Sequence, residues 1–292
     1  MKVLNFGSVN IDHVYRVDHF VVPGETLPSD SYQRLPGGKG FNQTVALARA
    51  GAAVSHAGRI GTDGIWLRDY LGTLNVNTAH LNVSEDVPTG HAIIQVGPAG
   101  ENAILLHGGA NHCIAEDDVD RILQDAARAG DALLLQNEIS AMPHLISSAA
   151  DCGMQIVLNP APMTRAVRDY ALEHVAVLIL NQVECEQLTG RSDDAALDAL
   201  AKRCPQAIVV QTLGEQGVRC RHGAETIAIP AVDAEVVDTT GAGDTFTGFF
   251  VAEWTRSGDV AKSLQLGCSA AAICVSRVGA AVSIPTLGEL GL

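Results

Sequence analysis

Between residues 116 and 212, short apolar runs rich in β-branched residues take turns with segments of helical spacing, and few architectures accept that pattern. The runs are ALLLQ (132–136), QIVLNP (155–160), VAVLILN (175–181) and AIVVQT (207–212). Between them lie AMPHLISSAADCG, VECEQLTG and DDAALDALAKRC; upstream, EDDVDRILQDAARAG sets Val119, Ile122, Leu123 and Ala126 on one helical face. Such alternation predicts an α/β fold, a central and mostly parallel sheet with helices on both faces in a Rossmann-like three-layer sandwich. Ligands of these sheets bind beyond the carboxyl ends of the strands. Polar residues collect there: Asn137 and Glu138, Asn159, Asn181 and Glu184, Thr212 and Gly214.

The first third of the chain has a different rhythm. HVYRVDHF (13–20), DSYQRLP (30–36), GHAIIQVG (90–97) and ENAILLHG (101–108) are short, extended and separated by turn residues such as Pro23-Gly24. They predict hairpins in a small antiparallel β lid, formed by roughly 13–34 and 90–108 within a single domain spanning 1–292. Edge strands of that kind also offer a surface for a homodimer.

With 292 residues and 47% hydrophobic content, the chain can bury a large core. No apolar run reaches the ~18 residues of a membrane span, and MKVLNFGSVN reads as a strand, so a cytoplasmic protein is expected. Seven cysteines without a C-x-x-C pair and ten histidines without a ligand spacing suggest neither disulfides nor zinc. A formal charge of −14 disfavours a nucleic-acid or anionic-membrane partner. A phosphorylated ligand would need metal ions, backbone N–H groups and a few local cations.

Two glycine clusters meet that need. In VVDTTGAGDTFTGFF (236–250), Gly241-Ala242-Gly243 precedes a helical pattern carrying Phe246, Phe249, Phe250 and Trp254, so the glycines open a helix whose free N–H groups can hold an anion. Asp244 falls in the first turn, where it fits a helix cap or a base that orients a hydroxyl for phosphoryl transfer. LPGGKGFNQTVALARAG (35–51) opens another helix but is neither a P-loop nor a dinucleotide fingerprint. Gly37, Gly38 and Gly40 let the backbone approach a ligand, and Lys39 and Asn42 offer donors to hydroxyls.

Taken in order, VLNFGSVNIDH, GGKGFNQ, PTGHAII, GENAILLHGGAN, LLLQNE, VLNPAP, LNQVECEQLTG, QTLGEQG, VDTTGAGDTFTG and SRVGAAVSIP cover nearly the whole chain. This series resembles the ribokinase-like (PfkB) sugar kinases. The resemblance implies an ATP-dependent enzyme that phosphorylates a primary hydroxyl of a neutral pentose, D-ribose at O5 being the first expectation. It assigns sugar contacts to Asn10, Asp12, Gly38, Lys39, Asn42 and Glu138, the catalytic base to Asp244, and an anion hole to Gly241, Ala242 and Gly243. Asn181 and Glu184 would support Mg²⁺ through water, while Asn181, Thr212, Gly214, Gly217, Gly243 and Cys268 would line the nucleotide. Asp238 would help to hold an activating K⁺ with Thr240, Cys274, Arg277, Gly279 and Ser283.

The sequence departs from the family pattern at Cys268, where a histidine is common, and at Phe41, bulkier than the usual alanine and expected to tighten or redirect the sugar pocket. The alternatives are a kinase for fructose or adenosine, or a catalytically silent sugar-sensing protein. A nucleoside pocket wants aromatic stacking, and with aromatics at 4% the lid offers only Tyr15, Phe20 and Tyr32.

Overall fold

The computed structural model describes residues 1–191 and 195–292. The chain opens with β1 (Val3–Phe6), β2 (Asn10–Arg16), β3 (Ser31–Gly37) and α1 (Lys39–Arg49). Next come β4 (Val54–Gly61), α2 (Ile65–Thr73), β5 (Asn77–Ser84), β6 (Gly90–Val96) and β7 (Asn102–His107). The stretch read from the sequence supplies α3 (Glu116–Ala126), β8 (Ala132–Gln136), α4 (Met142–Asp151), β9 (Gln155–Asn159), β10 (Val175–Asn181), α5 (Gln182–Thr189), α6 (Ala195–Arg203) and β11 (Ile208–Thr212). A hairpin of β12 (Val218–His222) and β13 (Glu225–Ile229) follows, then α7 (Ala242–Ser257) and α8 (Val260–Val275). The start of the DDAALDALAKRC pattern, residues 193 and 194, lies outside the described residues. β9 stops before Pro160, which has no N–H to give a ladder.

The larger sheet runs β13-β12-β11-β10-β9-β8-β1-β4-β5, parallel from β11 to β5 and antiparallel across the terminal hairpin. Each central strand serves two cores. On β8, Leu133 and Leu135 pack with Ile122 of α3 and Leu145 and Ile146 of α4. Ala132 and Leu134 point the other way, into a core shared with Phe41 and Leu47 of α1 and Phe249 and Phe250 of α7. Burial on both faces is why these strands read as unbroken apolar runs. α7 is covered on every side: all residues from Asp244 to Thr255 are buried, so its aromatics do not form one face of a surface helix.

The smaller sheet is ordered β3-β2-β6-β7. Its outer pairs are the expected antiparallel ones, and its central β2–β6 pair runs parallel, because the chain visits β4 and β5 of the large sheet between them. β2 begins at Asn10, earlier than the pattern around His13 suggests, so Asn10 and Asp12 belong to this sheet and share one face. His13, Tyr15, Tyr32 and Arg34 occupy the opposite face, where the His13 and Tyr32 rings stack with centroids 5.9 Å apart. Leu105 is 68% exposed and Ile104 59%, leaving apolar surface on β7 open. Among the described residues no helix is long and apolar enough to cross a membrane.

Candidate active site

The carboxyl ends of β8 to β11 bring Gln136 beside Asn159 and Asn181 beside Thr212. Above them, α7 starts at Gly241, whose φ of 77° is left-handed and strained for any side chain with a Cβ. Asp244 lies in the first turn, only 7% exposed. Its Oδ1 accepts a hydrogen bond from Gln43 Nε2 at 2.9 Å and its Oδ2 one from Asn42 Nδ2 at 3.0 Å. Both donors belong to the first turns of α1, so the two glycine-led helices meet through this carboxylate.

Glu138, just past β8, caps α1. Its Oε2 accepts the backbone N–H of Lys39 at 2.9 Å and the hydroxyl of Ser8, whose Oγ in turn accepts from the N–H of Gly40 at 3.1 Å. A carboxylate there offsets the positive end of the helix dipole. Burial nevertheless pushes the Glu138 carboxyl up, Lys39 opposing the shift. Asp244, and more weakly Glu138 and Glu184, hold the Lys39 ammonium above its ordinary range against burial. One ammonium thus feels the charge of three carboxylates. On the small sheet, burial and then the charge of Glu138 push Asp12 up to about 7. Asn10 accepts from Asn111 Nδ2 at 2.8 Å, and the Asn111 Oδ1 accepts from the N–H of Val9 at 3.0 Å. Asn42 Oδ1 is buried without a partner, an acceptor that a sugar hydroxyl would satisfy.

Asn181 and Glu184 form a reciprocal cap at the head of α5: Asn181 Oδ1 accepts from Glu184 N at 2.8 Å and Glu184 Oε2 from Asn181 N at 2.9 Å. Burial raises the Glu184 carboxyl, with the N–H of Asn181 and the charge of Lys39 opposing. Thr212, Gly214 and Gly217 shape the turn from β11 into β12; at Gly217, with φ of 92°, a Cβ would lie 2.1 Å from the carbonyl oxygen of Ile229. Asp238 accepts from Thr240 N at 2.9 Å, Thr240 Oγ1 at 2.6 Å and Gly279 N at 2.8 Å. Burial opposes ionisation there, and these hydrogen bonds outweigh it and keep the carboxyl below its usual range. Cys274 Sγ lies 3.9 Å from the Thr240 carbonyl oxygen and 3.0 Å from Ser283 Oγ, which gathers Thr240, Cys274, Gly279 and Ser283 about one turn. The Arg277 guanidinium pairs outward with Glu289 at 2.7 Å.

One expectation needs correcting. Phe41 does not enter the sugar side: it is wholly buried in the core, 5.7 Å from the Tyr70 ring, because its position on α1 faces α2. Cys268, expected at the nucleotide, lies on α8 at 8% exposure and packs against the core, its thiol pushed up to about 11 by burial. Conversely, Gln43, Gln136, Asn5 and Asn111 were given no role in the sequence analysis although each lies in one of its quoted segments, since a lone amide does not announce its partner. For Asn5 and Gln136 the available signal was a polar residue interrupting or ending a buried strand, as in VLNF and ALLLQ.

Residues 1–287 match the family profile described as pfkB family carbohydrate kinase. The chain belongs to that family. This pfkB kinase is 37% identical to a ribokinase of Haemophilus influenzae, across 97% of this chain and 95% of the relative. It is 33% identical to a ribokinase of Staphylococcus aureus, across 99% and 98% of the two chains. Among solved structures, it superposes on the Arabidopsis thaliana ribokinase complexed with ribose and ATP with a TM-score of 0.88 at 29% identity, covering 99% of this chain and 97% of that one.

Proposed function

We propose that this kinase transfers the γ-phosphoryl group of ATP to O5 of D-ribose, with Asp244 as the base. The observation that carries the reading is the Asp244 carboxylate, buried at the N-terminus of α7 and held by two amides of α1 beside the Lys39 ammonium. In that reading the N–H groups of Gly241, Ala242 and Gly243 stabilise charge on the transferred group, and Asp244 orients the hydroxyl and takes its proton. Asn10, Asp12, Gly38, Lys39, Asn42 and Glu138 hold the sugar; Thr212, Gly214 and Gly217 hold the nucleotide. The partners are thus ATP and a small neutral sugar.

The cofactors fit the residues present. Three carboxylates around one lysine leave negative charge that suits a divalent cation arriving with ATP, and Asn181 with Glu184 would hold Mg²⁺ through its water shell. Bound Mg²⁺ would neutralise the phosphate oxygens. Beside the Asp238 carboxylate, the Thr240 carbonyl and the Ser283 hydroxyl are hard oxygen donors suited to K⁺, which would brace the Gly241 turn.

A nucleoside substrate is less well served, since Tyr15 and Tyr32 sit on the face of the small sheet turned away from Asp12. A sensing protein without turnover has no use for a base held this closely. ADP release measured with ribose, 2-deoxyribose, fructose and adenosine, with and without K⁺, tests the assignment. Highest kcat/KM on ribose is expected, and no sugar-dependent ADP from ribose would refute it.

Asp12 gives the reaction a pH dependence. Its carboxyl, at about 7, is mostly protonated below that pH and ionised above, and only the ionised form accepts two sugar hydroxyls in charge-assisted bonds. The kcat/KM for ribose should therefore fall on going from pH 8 to pH 6, by up to roughly tenfold per unit below the midpoint. Asp12→Asn should flatten that limb; a limb unchanged in the variant would assign it to another group.

The small sheet serves in this reading as lid and as homodimer interface, supported by the exposed Ile104, Leu105 and Leu106. Leu105→Glu should shift the sedimentation coefficient from dimer to monomer. A wild-type chain that sediments as a monomer at micromolar concentration would remove the interface.

A further inference from the structure

Beneath α1, a row of buried amides crosses the large sheet along its strand ends. Gln43 Nε2 donates to Asp244 Oδ1 and also to Asn159 Oδ1, both at 2.9 Å. Gln43 Oε1 accepts from Gln136 Nε2 at 2.7 Å, and the same Nε2 donates to Asn5 Oδ1 at 3.0 Å. Asn5 Nδ2 then donates to the Gly40 carbonyl at 2.7 Å and to Thr44 Oγ1 at 2.6 Å, and Thr44 Oγ1 lies 2.7 Å from His56 Nδ1. Asn5, Gln43, Thr44, His56 and Gln136 have no exposed surface.

The row has only one consistent arrangement, its donors pointing outward from Gln136 toward both ends. At one end both oxygens of the Asp244 carboxylate accept from amide nitrogens; at the other, the Gly40 carbonyl can only accept. Starting from either end, every amide between them is forced into the same orientation, because turning one would set donor against donor and acceptor against acceptor in a dry interior. His56 completes the pattern: burial lowers it to about 4, so the ring is neutral and its Nδ1 can accept the Thr44 hydroxyl proton. Gln136 Oε1 is left buried and unpaired, a cost that an apolar side chain at that position would avoid. Packing alone does not explain the row.

We propose that Gln43 is a positioning residue for the phosphoryl-transfer step: its amide nitrogen fixes the rotation of the Asp244 carboxylate, and Gln136 with Asn5 fixes which way that nitrogen points. The proposal rests on Asp244 being the base, and it predicts an effect on turnover that leaves sugar affinity alone. Steady-state kinetics with ribose and ATP on Gln43→Glu, Gln136→Met and Asp244→Asn test it. Gln43→Glu keeps size and shape but loses the donor pair; kcat is expected to fall roughly 10- to 100-fold, the scale of a misplaced reacting group, with the ribose KM within threefold. Gln136→Met leaves both donors on Asp244 and frees Gln43 to turn, so kcat should fall about fivefold, again at constant KM. If Gln43→Glu does not fold, as judged by circular dichroism, Gln136→Met decides by the same split.

An inactive Asp244→Asn beside glutamine variants that turn over within twofold of the unaltered enzyme would overturn the positioning role and spare the base. Loss of kcat matched by an equal rise in KM would overturn it too. An active Asp244→Asn would remove the base itself.

Discussion

Replacing Asp244 by Asn is expected to lower kcat by roughly 10²- to 10⁴-fold, the usual range for a positioned general base, or about 3 to 5 kcal/mol of transition-state stabilisation. The variant should still fold. An amide in place of the carboxylate puts an NH₂ group against one of two donors, Gln43 Nε2 or Asn42 Nδ2. Asn42 can relieve the conflict, because its Oδ1 has no partner and a turn of its amide would present that oxygen to the new NH₂. The ribose Kd, read by calorimetry, should therefore change no more than a few-fold while ADP release collapses. Retention of a tenth or more of wild-type kcat would mean that another group removes the proton.

The layered sheet was legible because burial on both faces forces apolar runs. β8 and β10 match the sequence reading end to end, and β11 starts one residue late. Asp244 and the glycines of both helix starts were legible for a related reason: a close backbone approach demands glycine whatever the rest of the chain does. The terminal hairpin escaped because VRCRH and ETIAI mix charge with apolar residues, as an edge strand does. The parallel pairing of β2 with β6 depends on where the intervening chain travels, which no local pattern records. The amide row was hidden for a third reason. Asn5, Gln43 and Gln136 come from three segments, and a hydrogen-bond chain among them exists only after the strands and α1 have been brought together.

Two glycines of α7, five residues apart, should respond in opposite ways to gaining a methyl group or more. At Gly248 a Cβ would lie 2.3 Å from Ala46 Cβ and 2.9 Å from the Leu47 nitrogen, so this glycine sets how closely α7 lies against α1. Backbone cannot retreat as a side chain can. Gly248→Val is expected to destabilise the fold by about 3 kcal/mol, as overpacking of a dense core does, and to lower Tm by roughly 6–10 °C. Because α1 carries Lys39, Asn42 and Gln43 while α7 carries Asp244, parting the helices should also lower kcat at temperatures where the chain remains folded. At Gly243 an added Cβ meets nothing within 4 Å. Gly243→Ala should hold Tm or raise it slightly, since alanine favours a helix by about 1 kcal/mol over glycine. It should nevertheless cut kcat/KM for ATP, because the methyl group intrudes where the transferred phosphate would lie against the helix start. Thermal unfolding and ATP kinetics on the pair separate a glycine needed for packing from one needed for chemistry. Equal losses of Tm in both variants would refute that division.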